Sequence, residues 1–145
     1  MKIYVASSWK NHIHPKLVAA LTRAGHAVYD FKEPTPGNNG FNWSDIDPGW
    51  ENWSPQVFKK ELLHPKADTG FMQDIEALKN CDACVLVLPC GRSAHLEAGF
   101  SIGLGKPTII LLSDGIIELM YKLTPYICLN LEEVIECINT LCKES

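Results

Sequence analysis

The sequence predicts a doubly wound α/β domain, with five parallel strands in the order 2-1-3-4-5 and helices on both faces of the sheet. Two observations lead to this prediction. Short apolar, β-branched runs alternate along the chain with segments in which apolar residues recur at helical spacing. In addition, the run ACVLVLP at 83–89 is almost entirely apolar, which is typical of a central parallel strand covered on both faces. The length of 145 residues suits a single domain, 1–145.

The chain opens with a strand, a helix and a second strand. The strands are KIYVA at 2–6 and AVYDF at 27–31. Between them, Leu17 and Leu21 recur at helical spacing, and Gly25 ends the helix. These elements predict a βαβ unit, in which both strands run in the same direction.

The segment at 33–56 shows no periodicity. It is rich in Pro, Gly and Asn, and it contains Trp43, Trp50 and Trp53. Disordered segments are poor in aromatic residues, whereas long loops in compact domains are often lids or binding loops. We therefore expect an ordered lid that brings at least one of Trp43, Trp50 and Trp53 to a ligand and packs against Trp9. The alternative is that the tryptophans only cover the edge of the sheet.

The remaining elements continue the alternation. Two helices precede the central strand, and the second has an apolar stripe in which Asp74 stands among Phe71, Ile75 and Leu78. A carboxylate there indicates either a site residue or a partly exposed residue at the edge of the stripe. The predicted helices are 55–64, 68–81, 92–105, 115–123 and 131–142, and the last two strands are 107–112 and 126–130.

Composition excludes several classes of function. The chain has 13 basic and 17 acidic residues and no cluster of Lys and Arg, so a nucleic acid polymer is a poor partner. No apolar run has the length of a membrane span, and the N-terminus leads directly into a strand, so we expect a cytoplasmic protein without a membrane partner. Cys81 and Cys84 form a CxxC, but no second pair of Cys or His completes a zinc site, so we expect no metal and no cofactor.

The strand order predicts where a ligand binds. In open α/β sheets the site lies beyond the carboxyl ends of the strands where the order reverses, here between strands 1 and 3. Hydroxyls, an aromatic ring, a flexible glycine and a cation in the two turns suit a sugar or a nucleotide. These candidate residues are Ser7, Ser8 and Trp9 after strand 1, and Gly91, Arg92, Ser93 and His95 after strand 3.

Glu97 is a lone carboxylate in a segment that otherwise resembles a buried helix. We expect it in the first turn or so, where the helix dipole favours its charged form, on the same face as Ser93 and beside the crevice. Gly99 and Gly103 are expected to leave a flat helix face against the sheet. A carboxylate at this place can act as a nucleophile or stabilise an oxocarbenium ion. The alternative is an ordinary glutamate that only stabilises its helix.

Three stretches resemble the nucleoside 2-deoxyribosyltransferase superfamily, which includes deoxynucleoside 5′-monophosphate N-glycosidases. They are KIYVASSW, FMQDIEALKNCDACVLVL and HLEAGFSIGLGKPTIILL, within residues 2–9 and 68–112. The Glu-x-Gly in a helix that ends in Gly-Lys-Pro is the most specific part. The resemblance implies cleavage of an N-glycosidic bond in a small nucleoside or nucleotide, and it implies a homo-oligomer, most simply a dimer.

The resemblance also implies roles for individual residues. Glu97 matches the nucleophile that attacks the anomeric carbon, Asp74 matches an aspartate that orients and protonates the base, and Tyr4 matches a tyrosine that holds the nucleophile. Ser7 and Ser8 fall in the turn that contacts sugar or phosphate. Gly91 stands where the transferases carry an acidic residue, so the resemblance implies a different way of holding the sugar, and Arg92 suits a 5′-phosphate.

Two other functions stay open at this point. A Toll/interleukin-1-receptor-like NAD glycohydrolase also has a flavodoxin-like sheet and a catalytic glutamate on the helix after strand 3. A nucleotide sensor without catalytic activity would use the same crevice.

Overall fold

The computed structural model describes residues 1–113 and 117–144. Its centre is a parallel sheet of five strands in the order β2-β1-β3-β4-β5. This order and the helices on both faces confirm the predicted fold class. The strands are β1 (Lys2–Ala6), β2 (Ala27–Asp30), β3 (Ala83–Val87), β4 (Thr108–Leu111) and β5 (Ile127–Cys128).

The helices divide between the two faces of the sheet. They are α1 (His14–Arg23), α2 (Pro55–Glu61), α3 (Pro65–Asn80), α4 (Arg92–Gly103) and α5 (Leu131–Glu144). Helices α1 and α5 pack on one face, and α3 and α4 pack on the other. None of the helices found in 1–113 and 117–144 has the length and apolar content needed to cross a membrane.

Local sequence signals set the start of the two helices before β3. Ser54 accepts a hydrogen bond from the backbone N–H of Val57 and so caps α2, which begins with a proline. His64 caps α3 in a similar way by accepting from the backbone N–H of Lys66 through Nδ1. These caps fix where α3 begins and therefore which of its residues face the sheet.

Strand alternation creates two cores. Successive residues of β1 point to opposite faces, so Ile3 and Val5 join the core under α1 and α5, whereas Tyr4 joins the core under α3 and α4. The register places Tyr4 beside Tyr29 of β2 and Cys84 of β3. These three residues therefore lie in one row on the α3–α4 face.

The helix predicted at 115–123 is not found in its described part. Leu119–Leu123 form a single 3-10 turn, and residues 115 and 116 lie outside the described residues. Helices in proteins gain most of their stability by packing an apolar face. Here Leu119 and Met120 are 77% and 63% exposed, so no such face is buried.

The expected contact of Gly99 and Gly103 with the sheet is also wrong. A Cβ atom built at either glycine meets no atom within 4 Å, so both positions face open space. The side chains that face the sheet are instead Ala94, Ala98 and Ser101, which are buried. The small residues that allow close helix-to-sheet packing are thus alanine and serine rather than glycine.

Candidate active site

Two tyrosines and two carboxylates meet on the α3–α4 face. The Tyr29 hydroxyl donates a hydrogen bond to Asp74 Oδ1 at 2.7 Å. The Tyr4 ring stacks on the Tyr29 ring, with centroids 5.1 Å apart and 16° between the planes. Glu97 reaches the same cluster from α4 and interacts electrostatically with both Tyr4 and Asp74. The structure therefore brings together the three residues predicted as catalytic and adds Tyr29.

The environment of Glu97 differs from the one expected from sequence. Burial raises its pKa to about 8, the neighbouring Asp74 carboxylate adds to the rise, and the Tyr4 hydroxyl opposes it. Glu97 is the sixth residue of α4 and therefore lies beyond the first turn, which holds no acidic residue. The helix dipole acts mainly within the first turn, so it does not offset desolvation here. At neutral pH the protonated form of Glu97 is therefore favoured.

Asp74 is the second member of a coupled pair. Burial raises its pKa, and the hydrogen bond from Tyr29 opposes the rise. The two carboxylates disfavour each other's ionisation because like charges repel, and such groups titrate as a pair. With the pKa of Glu97 at about 8, the pair favours holding one proton near neutral pH.

Both tyrosines are neutral at neutral pH, and Tyr29 donates a hydrogen bond to Asp74. Burial, Glu97 and Asp74 raise the pKa of Tyr4, and burial and Asp74 raise that of Tyr29. The Tyr4 hydroxyl is buried and completes no hydrogen bond of normal geometry within residues 1–113 and 117–144, yet it lies close enough to Glu97 to lower the pKa of that carboxyl. The Tyr4 hydroxyl can therefore donate a hydrogen bond to Glu97, whereas the Tyr29 hydroxyl already donates to Asp74.

The turns after β1 and β3 are tied together by hydrogen bonds. Ser7 Oγ donates to the carbonyl oxygen of Val87 at 2.9 Å, and Asn11 Nδ2 donates to that of Pro89 at 3.0 Å. Asn11 Oδ1 accepts from the backbone N–H groups of Ile13 and His14 at 2.8 and 2.9 Å. Asn11 was missed by the sequence analysis, although an asparagine just before a helix is a typical capping signal.

The other predicted turn residues lie around this junction. Ser8 Oγ accepts a hydrogen bond from the backbone N–H of Lys10 at 3.3 Å. Gly91 precedes α4, and Arg92 and Ser93 are exposed in its first turn. Within the described residues no ion pair or hydrogen bond engages the Arg92 guanidinium, so this cation is free to meet a ligand.

His95 is held by protein groups on both ring nitrogens. Nδ1 lies 2.9 Å from the Gly91 carbonyl oxygen, and Nε2 lies 3.0 Å from the Tyr121 hydroxyl. The two rings also stack, with centroids 5.9 Å apart. His95 therefore joins α4 to the 3-10 turn at Leu119–Leu123, and a role as a substrate contact has no support in these contacts.

The segment at 33–56 is ordered around its own aromatic cluster. Trp43 packs edge-on against Phe41, Trp53 and Phe58, with centroids 4.8, 5.8 and 5.5 Å away. Trp53 Nε1 also donates to Asp47 Oδ2 at 2.7 Å. Trp43 is thus the centre of an aromatic cluster that joins the loop to Phe58 on α2. Trp50 is 37% exposed.

This loop reaches from the end of β1 to α3. Gly40, with φ +71°, packs so closely that an added Cβ would lie 3.2 Å from the Trp9 ring and 2.3 Å from a backbone oxygen. Trp9 itself contacts Phe31 edge-on at 5.4 Å, so the expected packing of Trp9 against the loop tryptophans is not what its ring contacts show. At the other end, Asn38 Nδ2 lies 3.4 Å from Gln73 Oε1, beside Asp74.

A cavity of about 510 Å³ separates the loop from α3. Gln73 lies in its wall, whereas Asp74 and Glu97 are not among the residues that line it. Its lining mixes amide, hydroxyl and aromatic groups with one cation and one carboxylate: Asn38, Phe41, Asp45, Lys66, Thr69 and Gln73.

Solved structures with the same fold include two enzymes. A 2-deoxyribosyltransferase from the psychrotolerant bacterium Bacillus psychrosaccharolyticus superposes with a TM-score of 0.62 at 22% identity, over 93% of this chain and 90% of the other. The chain has the 2-deoxyribosyltransferase fold. The Clostridium botulinum CMP N-glycosidase BcmB superposes with a TM-score of 0.51 at 17% identity, over 97% of this chain and 99% of the other. No family model and no curated protein matches the sequence.

Proposed function

We propose that this protein cleaves the N-glycosidic bond of a nucleoside or nucleoside 5′-monophosphate, by hydrolysis or by 2-deoxyribosyl transfer. The observation that carries the proposal is the pair of Glu97 and Asp74, which are partly buried together on one face of the sheet with Tyr4 beside Glu97. Two solved structures that share the fold support the proposal, since one is a 2-deoxyribosyltransferase and the other a CMP N-glycosidase.

The pair supplies both groups that the reaction needs. The reaction uses the form of the singly protonated pair in which Glu97 is ionised and the proton lies on Asp74, rather than on Glu97, where burial favours it. A Glu97 oxygen bonds to the anomeric carbon, the C–N bond breaks, and its electrons leave with the base, which takes the proton from Asp74. Water or a second base then attacks the anomeric carbon and breaks its bond to Glu97, while the ionised Asp74 takes the proton that the attacking group loses. Tyr4 orients Glu97 by directing its hydroxyl at the carboxylate.

The first turn of α4 is the proposed site for a 5′-phosphate. Arg92 is exposed there without a protein partner among the described residues, and a guanidinium binds phosphate through two parallel hydrogen bonds. The proposed contacts to sugar and phosphate are completed by residues of the same two turns: Ser7, Ser8, Gly91 and Ser93.

If Arg92 binds the phosphate, Arg92→Ala should weaken the binding of nucleoside monophosphates by about 10-fold or more and leave the binding of nucleosides nearly unchanged. An equal loss for both would remove this role.

A substrate screen tests the main proposal. The protein is incubated with nucleosides, 2′-deoxynucleosides, their 5′-monophosphates and NAD, and release of free base or nicotinamide is measured by chromatography. Addition of a second base to active reactions separates transfer from hydrolysis. Nicotinamide release from NAD alone would favour the NAD glycohydrolase instead. Binding of nucleotides without release of any base would favour the sensor.

We also propose that the protein forms a homodimer through apolar side chains that face solvent on α4. Leu96 and Leu104 are 75% and 45% exposed, and Phe100 lies between them on the same side of the helix. The exposed Gly99 and Gly103 lie beside these residues, so this face allows the close approach of a second helix. Sedimentation at micromolar concentration tests the proposal, and a species of 16.2 kDa alone would contradict it.

The cysteines support a cytoplasmic location. All six are free thiols, which suits a reducing compartment. Cys81 and Cys84 are buried in the core beside Tyr4 rather than paired, in keeping with a structural role. Fractionation of cells that produce the protein would test this location directly.

A further inference from the structure

Tyr29 is the polar member of the cluster to which no role has been given. It lies inside β2, directly beside Tyr4 in the register of the sheet. Its ring stacks on Tyr4, and its hydroxyl donates to Asp74 Oδ1 at 2.7 Å. A ring fixed by a strand on one side and by a stacked neighbour on the other has little freedom to move, so the hydroxyl has a defined direction.

We propose that Tyr29 is a positioning residue for Asp74: it engages Oδ1, so that Oδ2 is the oxygen that carries the proton and delivers it to the leaving base. This inference rests on the proposed function for its last step. It assigns to each carboxylate its own tyrosine, with Tyr4 serving Glu97 and Tyr29 serving Asp74.

The choice of oxygen follows from hydrogen-bond chemistry. A carboxylic acid has one O–H donor, and its proton can reside on either oxygen. Because Tyr29 directs its own hydroxyl hydrogen at Oδ1, a second hydrogen on that oxygen would meet it. The acid form of Asp74 therefore holds its proton on Oδ2, and within residues 1–113 and 117–144 no hydrogen bond engages that oxygen. Tyr29 can act as a constant donor because burial and Asp74 raise its pKa far above neutral pH.

Stacking of the two rings extends this control to Glu97. A sideways shift of Tyr29 would displace Tyr4, which lies against Glu97, and the two carboxylates already influence each other's ionisation. The four groups therefore form one unit in which the two tyrosines are held by adjacent strands and the two carboxylates by adjacent helices.

The test compares Tyr29→Phe with Tyr126→Phe. Tyr29→Phe keeps the stacked ring and removes only the hydroxyl. Tyr126 packs against the core on the other face of the sheet, and no side-chain hydrogen bond of its hydroxyl is found in the described part of the chain, so Tyr126→Phe is a matched control. We expect Tyr29→Phe to lower kcat by about 10- to 100-fold, the range of a hydrogen bond to a charged group, with a smaller effect on KM. Tyr126→Phe should leave both unchanged.

The pH dependence of kcat/KM separates a positioning role of Tyr29 from a loss of packing, because a loss of packing would not shift the pKa values in the profile. Without the donor at Oδ1 the ionised form of Asp74 is less stable, so its pKa rises. The rising and falling sides of the kcat/KM profile report the apparent pKa values of the carboxylate pair. Both sides should therefore move to higher pH in Tyr29→Phe and stay in place in Tyr126→Phe. A profile in the wild-type position, together with unchanged kcat, would overturn the proposal.

A titration that does not need turnover separates this inference from the proposed function. Carbon-detected NMR of the Asp74 side-chain carboxyl should give a higher midpoint in Tyr29→Phe than in the wild type or in Tyr126→Phe. If the wild type releases no base from any compound in the screen, the proposed function fails, while the NMR midpoint still tests the contact. If the wild type is active but the Asp74 midpoint does not move, the positioning role fails alone.

Two further variants keep the test decisive. In an Asp74→Asn background, Tyr29→Phe should have no additional effect on kcat, whereas an additive loss would point to a role of Tyr29 apart from Asp74. If Tyr29→Phe does not fold, 3-fluorotyrosine at position 29 keeps the ring and strengthens the donor. The Asp74 midpoint should then move to lower pH, and an unchanged midpoint would contradict the proposal.

Discussion

The two faces of the sheet are built from the same strands and differ in what they bury. Under α1 and α5 the core is apolar throughout at its centre, with Ile3, Val5, Val85 and Ile109 each at most 1% exposed. Under α3 and α4 the same strands place tyrosine rings against two carboxylates. Because successive side chains of a strand point to opposite faces, neighbouring residues of the same strand lie in an ordinary core and in the candidate active site.

The difference shows how the chain tolerates a destabilising site. An ionised carboxylate in a poorly solvated place costs free energy, which is why the pKa of Glu97 rises to about 8. The apolar face contributes burial without such a cost and fixes the strands that carry Tyr4 and Tyr29. We therefore expect substitutions on the two faces to separate activity from stability.

The largest expected effect is on turnover, from a substitution on the site face. Glu97→Gln should lower base release by several orders of magnitude, because the route through a glycosyl–enzyme bond or an oxocarbenium ion loses its carboxylate. Release of free base by chromatography measures the effect. Glu136→Gln on α5 is the control, since that side chain is exposed on the opposite face, and it should leave turnover unchanged. A folded Glu97→Gln variant with normal turnover would exclude the proposed nucleophile.

On the apolar face the expected effect is on stability. Ile109→Ala should lower the free energy of unfolding by about 2–5 kcal/mol, because it leaves a cavity among fully buried neighbours. Leu96→Ala, at a position that is 75% exposed, should change it by less than about 0.5 kcal/mol under conditions where the protein is monomeric. Urea unfolding measures both. Similar losses for the two variants would mean that the core does not lie where the structure places it.

The same Glu97→Gln variant should be more stable than the wild type at high pH. The folded-state pKa of Glu97, about 8, exceeds its ordinary value of 4.5, so folding favours the protonated acid. Stability is therefore fully present below about pH 4.5 and is lost as pH rises toward 8 and just above. After allowance for partial exposure, we expect a gain of about 1–3 kcal/mol for the variant at pH 9. Urea unfolding at pH 5 and pH 9 measures it, and a gain that does not grow with pH would contradict this account.

The smallest expected effects concern the loop at 33–56. Trp50 is partly exposed, and a base that stacks on it would gain about 1 kcal/mol, so Trp50→Ala should weaken nucleotide binding about fivefold and reduce the quench of tryptophan fluorescence. Trp43→Ala removes the centre of the loop's aromatic cluster, and its main effect should be on thermal stability. If Trp50→Ala binds nucleotides normally, the lid hypothesis loses its base contact.

Sequence periodicity was sufficient for the fold but only partly for the site. The apolar runs gave the strands and their order, since a buried parallel strand leaves a strong signal in ACVLVLP. Asp74 and Glu97 stood out because each is a charge within an apolar pattern. Their shared environment brings together residues that are distant along the chain. It raises the pKa of Glu97 to about 8, whereas the sequence analysis expected the helix dipole to favour the charged form.

Tyr29 and Asn11 were missed for different physical reasons. A tyrosine is common in strands, so AVYDF gave no sign of a polar role until the register placed Tyr29 beside Tyr4. Asn11 lies in a turn, where its contacts with the carbonyl oxygen of Pro89 join segments far apart in sequence. For the helix predicted at 115–123, apolar composition was mistaken for burial, whereas Leu119 and Met120 face solvent.

The aromatic cluster of the loop has a consequence for engineering. Trp43 packs on Phe41 and Trp53 within the segment and on Phe58 of α2, so the segment is supported by its own rings and by a neighbouring helix rather than by the sheet. It meets the rest of the protein at a few tight points, such as Gly40 against Trp9 and Gly70 against Phe41. Such a segment can be exchanged: a different loop that keeps those contacts would change which ligands enter the crevice and leave the carboxylates and tyrosines in place.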